Sequence, residues 1–289
     1  MMTKIKLLSV SLCFVLLASC SGEVDFGEQY KKTVYIVNAP DYTGDHSFAA
    51  ENDEIVISIY CASSKPITKD LKMRLMVDPN ILDSLNNINE LSSSSYVRRI
   101  LLPATNYQMP DEPIVTIKAG EQYGTLGIPF NFNGLDPNKF YGLPLYLCAN
   151  SEDYDITQEL RVLLYQINMV NDYSGSFNGS STEMPETEEG RMIVKAVQPV
   201  LKALSKNTVR MSIHDAEDND VDNMMVLTVA SDGSVSISPS ENASVTDLGG
   251  SYYNSITMRY ELNYRYNGKV ISEIITNILA PKTDEDIYE

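Results

Sequence analysis

Along most of this 289-residue chain, apolar and polar positions alternate with period two, and Gly, Pro, Asn and Asp break the alternation at short intervals. Residues 54–61 show it most clearly, with Ile55, Ile57, Ile59 and Cys61 on one face of an extended segment. The same signal predicts strands over residues 34–37, 72–77, 113–118, 123–132, 143–149 and 160–170. One helix interrupts them. Asp78 offers an N-cap, Pro79 suits the first helical position, and Ile81, Leu82 and Leu85 form a short apolar stripe. A polar loop is predicted at residues 92–95.

The composition turns to Ser, Gly, Asn, Glu and Thr over residues 171–190, and a second β series follows. Strands are predicted over 208–213, 224–230, 234–238, 256–266 and 270–279, while 192–197 fits either strand or helix. Asp232-Gly233 and Asn267-Gly268 are hairpin turns by composition, because both central positions of a tight hairpin favour a left-handed backbone. Ile256, Met258, Tyr260, Leu262, Tyr264 and Tyr266 are expected to share one face. The tail 282–289 is acidic and expected to fray. The pattern predicts an all-β protein of two antiparallel domains. An immunoglobulin-like sandwich is expected over 31–170, and a second sandwich or small barrel-like domain over 171–289.

The N-terminus breaks this pattern. Lys4 and Lys6 precede a mainly apolar run over 7–17, too short for a bilayer span but of signal-peptide length. The run closes on Leu17-Ala18-Ser19-Cys20, which resembles a bacterial lipobox. Residues 1–19 are therefore expected to be removed as a lipoprotein signal peptide. Cys20 is expected to carry the lipid (palmitate-type acyl chains), at about 0.8 kcal/mol of membrane affinity per buried CH₂. Glu23 and Asp25 follow at once in a tether over residues 20–30, an acidic stretch like the surface-export signal of Bacteroidetes-type lipoproteins. The expected location is the outer membrane, lipid-anchored and facing outward.

Charge narrows the function classes. The chain carries a formal −17, and loss of Lys4 and Lys6 with the signal makes it −19. Such a field repels nucleic acid, whose binding rests on neutralised phosphates. Of the cysteines left after Cys20, Cys61 sits on an inward face and Cys148 on the face opposite its neighbouring leucines, so no disulfide is expected between them. No Cys/His spacing fits a zinc site, and no cofactor is expected. His46 and His214, the two histidines, lie beside Asp45 and Asp215 and read as solvated turn positions. Asp218, Asp220 and Asp222 match alternate positions of a calcium loop, but Asn223 and Val229 replace its Gly and Glu, so an ordinary acidic loop is expected.

Tyrosine is the unusual residue, with 18 copies against seven Phe and no Trp. Its flat apolar ring and polar tip suit wet recognition surfaces, although it also favours strands. Tyr252, Tyr253, Tyr107 and Tyr141 are the candidate ligand-binding residues, with Tyr42, Tyr123 and Tyr154 also near predicted loops.

Several short stretches carry a resemblance. They are Tyr35-Ile36-Val37, Val77-Asp78, Leu102-Pro103-Ala104-Thr105-Asn106-Tyr107, Val115-Thr116-Ile117-Lys118-Ala119-Gly120 and Tyr141-Gly142-Leu143-Pro144-Leu145. Together they resemble the N-terminal β-sandwich domain of unknown function of Bacteroidetes-type surface lipoproteins, some fused to family-18 glycosidases. Tyr173-Ser174-Gly175-Ser176-Phe177 and residues 260–266 resemble the uncharacterised C-terminal β domain that often follows. The resemblance implies a role beside SusC/SusD-like glycan uptake systems and carries over no catalytic residue. The expected function is non-catalytic binding of a polysaccharide or an uptake partner. The alternatives are an adhesin-type structural subunit, or a C-terminal barrel that holds a small lipid-like ligand.

Overall fold

The computed structural model describes residues 31–149, 154–185, 191–214, 223–240 and 243–281. In the N-terminal part the elements run β1 (Lys32–Ile36), β2 (Asp41–Ser47), β3 (Asp53–Ala62), β4 (Leu71–Val77), α1 (Pro79–Ser92), β5 (Ile100–Leu101), β6 (Ile114–Ile117), β7 (Tyr123–Phe130), β8 (Tyr141–Ala149), β9 (Tyr154–Ile156) and β10 (Val162–Val170). They form two sheets, of order β7-β3-β1-β9 and β2-β10-β8-β4-β6, with β5 added beside β8. The inward faces of β1, β3, β4 and β8 supply Val34, Ile36, Ile55, Ile57, Ile59, Met73, Leu75, Leu143, Leu145 and Leu147 to one continuous core. This is a sandwich, and the alternation read from the sequence is what fills it.

Two features depart from simple antiparallel pairing. Between Ile36 and Asp41 the chain crosses from one sheet to the other. β1 then lies parallel to β9 and β2 parallel to β10. Helix α1 starts where its cap was expected: the Asp78 carboxylate accepts from the Asn80 N–H at 3.0 Å, and Pro79 opens the helix. The helix is longer than the three-residue stripe implied, running 14 residues to Ser92. Asn86 holds its far side by bonding both to the backbone of Arg99 and to the Tyr96 hydroxyl.

In the C-terminal part the elements are β11 (Gly175–Pro185), β12 (Ile193–Val197), β13 (Val200–Ser205), β14 (Thr208–Ser212), β15 (Met224–Val229), β16 (Val235–Pro239), β17 (Val245–Asp247), β18 (Tyr252–Asn254), β19 (Arg259–Tyr266) and β20 (Lys269–Asn277). They make one long sheet of order β16-β15-β14-β13-β11-β20-β19-β17, with β12 beside β11 and β18 beside β19. Its ends approach each other. Ser234 bridges Tyr252, Val235 N–H donates to Ser251 O at 3.0 Å, and Ile237 N–H donates to the Asp247 carboxylate at 2.9 Å. The sheet is therefore barrel-like, the second of the two forms expected. Phe177, Met211, Met225, Leu227, Tyr260, Leu262, Tyr264 and Ile275 fill its interior.

The hairpin at Asn267-Gly268 forms as read, with φ of 51° and 72°. The face expected over 256–266 is correct only from Tyr260 inward. Ile256 is 82% exposed in a turn, and the strand begins at Arg259.

Candidate functional site

Strands β1, β3 and β7 are neighbours, and their register sets Tyr35 opposite Tyr60 and Tyr60 opposite Tyr123. The strand neighbours Val34, Ile36, Ile59, Cys61 and Gly124 are buried, so period two places all three tyrosines on the outer face. Ring centroids lie 5.4 Å apart for Tyr35 and Tyr60 and 4.7 Å apart for Tyr60 and Tyr123, with interplanar angles near 53° and 54°. The result is a fanned row of rings across three strands. Tyr123 is 55% exposed, and the other two are half-buried. None of the three hydroxyls bonds to a protein group among the described residues. Beyond the row, the same face carries Ser58, Thr125 and Val56, and the Glu54 carboxylate lies over Gly127, where a Cβ would come within 2.6 Å of it.

Chemically the row presents apolar ring faces edged by free hydroxyls and one carboxylate. That combination suits a ligand with C–H faces and many hydroxyls, such as a sugar ring. Cross-strand aromatic pairs also stabilise a sheet by ~0.2–1 kcal/mol each. Tyr35 and Tyr60 were not among the candidates read from the sequence. Their signal was present as tyrosines at polar-phase positions of otherwise clean strands, but only the strand register brings them together.

The four tyrosines singled out from the sequence do not converge. Tyr252 alone of them is an exposed ring, 45% accessible, and it packs over the turn glycine Gly233. Tyr253 is 4% exposed, stacks between Tyr173 and Tyr260, and donates to the Asp172 carbonyl. Tyr141 is equally buried, and its hydroxyl accepts from the Asp136 N–H at 3.0 Å. Tyr107 packs against the N-terminal core, and burial pushes its phenol up in pKa. Two belong to one domain and two to the other.

The histidines are not solvated turn residues. His46 lies within β2 at 1% exposure, with Nδ1 2.9 Å from the Asp53 carboxylate and Nε2 3.1 Å from the Tyr165 hydroxyl. Burial pushes the Tyr165 phenol up to about 12. His214 lies two residues past the end of β14, in a left-handed conformation with φ of 54°. Its Nδ1 lies 2.8 Å from Ser181 Oγ and its Nε2 3.2 Å from Glu183, which Lys269 also contacts. The order hydroxyl, imidazole, carboxylate is that of an activated nucleophile. Ser181, however, is 0% exposed on the central strand β11, so no nucleophile faces solvent. Glu273, 1% exposed, stands 4.0 Å from His214, and burial pushes it up to about 7. The hydroxyls of Ser181 and Tyr264 face it and oppose that shift, yet neither of its oxygens has a well-formed hydrogen bond.

Cys61, buried, and Cys148, partly buried, form no disulfide with each other. Among the described residues no His, Cys, Asp or Glu group could hold a metal ion. Cys20, the acidic tether and the aspartates at 218, 220 and 222 lie outside the described residues.

With this geometry in hand, comparisons place the chain. A family model described as an N-terminal domain matches residues 30–153, and its counterpart described as C-terminal matches residues 161–278. No curated protein matches the sequence. Among solved structures, a structural-genomics protein of unknown function from Bacteroides ovatus is similar over 88% of this chain and 98% of its own, at 16% identity and a TM-score of 0.60. A second protein of unknown function from the same organism matches over 88% and 94%, at 16% identity and a TM-score of 0.57. A protein from Bacteroides thetaiotaomicron described as an auxiliary nutrient binding protein matches over 82% and 89%, at 14% identity and a TM-score of 0.51. These likenesses concern the fold. The chain belongs to the family of two-domain β proteins defined by this paired N-terminal and C-terminal domain set.

Proposed function

We propose that this protein is a non-catalytic, surface-tethered glycan-binding accessory of a polysaccharide uptake system. The observation that carries the reading is the Tyr35-Tyr60-Tyr123 row, three rings in register on an outward sheet face with unengaged hydroxyls. The nutrient-binding description of a fold relative supports it. Cys20 holds the protein to the outer membrane, and SusC/SusD-like components are its working partners. Binding by stacking needs no moving part, so the rigid sandwich serves as the platform and the tether supplies reach.

The test is a neutral-polysaccharide array, followed by calorimetry, on the mature chain made soluble by Cys20→Ser. Binding to one glycan class is expected, and the triple change of Tyr35, Tyr60 and Tyr123 to alanine should lower affinity at least tenfold. About 1–3 kcal/mol per stacked ring, the scale known for bases on aromatic residues, makes that a conservative figure. Retained affinity in the triple variant, with the fold intact by circular dichroism, would remove the platform. In cells, Cys20→Ser is expected to abolish labelling by a palmitate analogue and to release the protein from the membrane fraction. Continued labelling would overturn the anchor.

A further inference from the structure

A second site lies where the two domains touch. On β13 and β14 the register sets Lys202 directly opposite Arg210. Like charges in direct cross-strand contact destabilise a sheet. The N-terminal domain adds a third cation here. Arg99 lies with its guanidinium 4.9 Å from the Phe140 ring centre, and the Lys202 ammonium lies 4.5 Å from the same ring. Arg210 reaches across to the Asn138 side-chain oxygen. Arg99 and Lys202 therefore share one 39%-exposed ring contributed by the loop before β8.

The carboxylates nearby do not neutralise the group. Asp136 is engaged by the Asn138 N–H and lies 3.9 Å from Lys139. Asp41 is bound by the Gln166 amide, which also accepts from Arg99. Among the described residues no carboxylate forms an ion pair with Lys202 or Arg210, in a chain whose formal charge is −17. A protein so rich in acids has no shortage of partners for these cations. Three of them converge, two in forced opposition, and a π face rather than an anion receives the ammonium. Rules of local consistency are broken in this way where a ligand supplies the missing charge.

We propose that the Lys202–Arg210–Arg99 cluster at the domain junction is a binding site for the carboxylate of an acidic saccharide. Lys202 and Arg210 hold the carboxylate, Phe140 fixes the ammonium's position, and Arg99 adds positive charge beside the same ring. The saccharide part of this assignment rests on the glycan-binding reading; the anionic part does not.

Its pH dependence follows from the groups at hand. Burial, with Arg210 next and Arg99 after it, pulls the Lys202 ammonium down to about 8, while Asp136 acts the other way. As pH rises through that value the free protein loses the charge, so binding weakens on the alkaline side.

Calorimetry on the mature Cys20→Ser chain tests it with oligogalacturonate and hyaluronan, against methyl-esterified oligogalacturonate and inorganic sulfate. The expected result is binding of at least one carboxylated probe, tenfold or more weakened by esterification. Lys202→Gln and Arg210→Gln should each weaken it tenfold, Lys202→Arg should largely preserve it, and affinity should fall between pH 7 and pH 10. No binding of either carboxylated probe, equal binding of the ester, or unchanged affinity in both Gln variants would overturn the proposal. Sulfate binding as tight as the saccharides would overturn the saccharide class. The triple tyrosine variant separates the two sites: it should keep the carboxylate-dependent binding whether or not neutral glycans bind to the sheet.

Discussion

Gly179→Ala should unfold or severely weaken the C-terminal domain. Gly179 sits in β11, the strand that pairs with β20 along nearly its whole length while changing its other partner from β13 to β12. A Cβ at this position would meet the Ile274 carbonyl oxygen at 1.9 Å and the Ile275 Cα at 2.7 Å. Both obstacles are backbone, so no rotamer change relieves them. The strands must part, and the β11–β20 ladder is the centre of the sheet. Overpacking usually costs about 1–3 kcal/mol, and a backbone clash in a central ladder belongs at or above the top of that range. Ser176→Ala, exposed on the same strand, should change stability by less than about 0.5 kcal/mol. Denaturant titration of both variants decides it. A Gly179→Ala protein as stable as the parent would mean that β11 and β20 do not approach this closely.

The second large effect concerns Glu273. Its carboxyl rises from an ordinary value of 4.5 to about 7 because burial penalises the charged form. Below the ordinary value it is neutral in both folded and unfolded chains and contributes no pH dependence. Between 4.5 and 7 the unfolded chain releases the proton while the folded one keeps it, so stability falls as pH rises. Above that window the full deficit persists, on the order of 3 kcal/mol for a shift of this size. Glu273→Gln removes the ionisation and keeps the shape. It should raise the melting temperature clearly at pH 8 and little at pH 4. A variant no more stable than the parent at pH 8 would show that burial does not penalise the ionised carboxylate.

Much of the fold was legible in the sequence, for a simple reason. Where one sheet face is buried and the other wet, period two is enforced by burial, and the strands of Ile55, Met73 and Tyr260 announce themselves. β11 did not, because Gly175–Pro185 reads Gly-Ser-Phe-Asn-Gly-Ser-Ser-Thr-Glu-Met-Pro and looks like a linker. Its inward positions after Phe177 include Ser181 and Glu183, which face a polar array instead of a hydrocarbon core. Strand β2 was hidden likewise: Asp41–Ser47 has His46 and a glycine inside, with Tyr165 filling the space beside Gly44. The tyrosine row was hidden differently. Each tyrosine was visible, but cross-strand register is a property of pairing between residues as far apart as Tyr60 and Tyr123, and one sequence does not encode it locally. The histidines misled because a neighbouring aspartate was read as a turn marker. Asp45 instead bonds Asn168 on the neighbouring strand β10, and His46 finds its own partner in Asp53.

The parallel pairing of β2 with β10 sets an order of events during synthesis. β2 emerges early, yet the strand that covers its edge ends at Val170, and β10 also separates β2 from β8. The N-terminal family match stops at residue 153, whereas β10 falls within the C-terminal match that begins at residue 161. Cutting the protein at that sequence boundary would hand an inner strand of one domain's sheet to its neighbour and leave two raw edges behind. The N-terminal sandwich thus stays open along the β2 edge until Val170, the last residue of its covering strand, has left the ribosome.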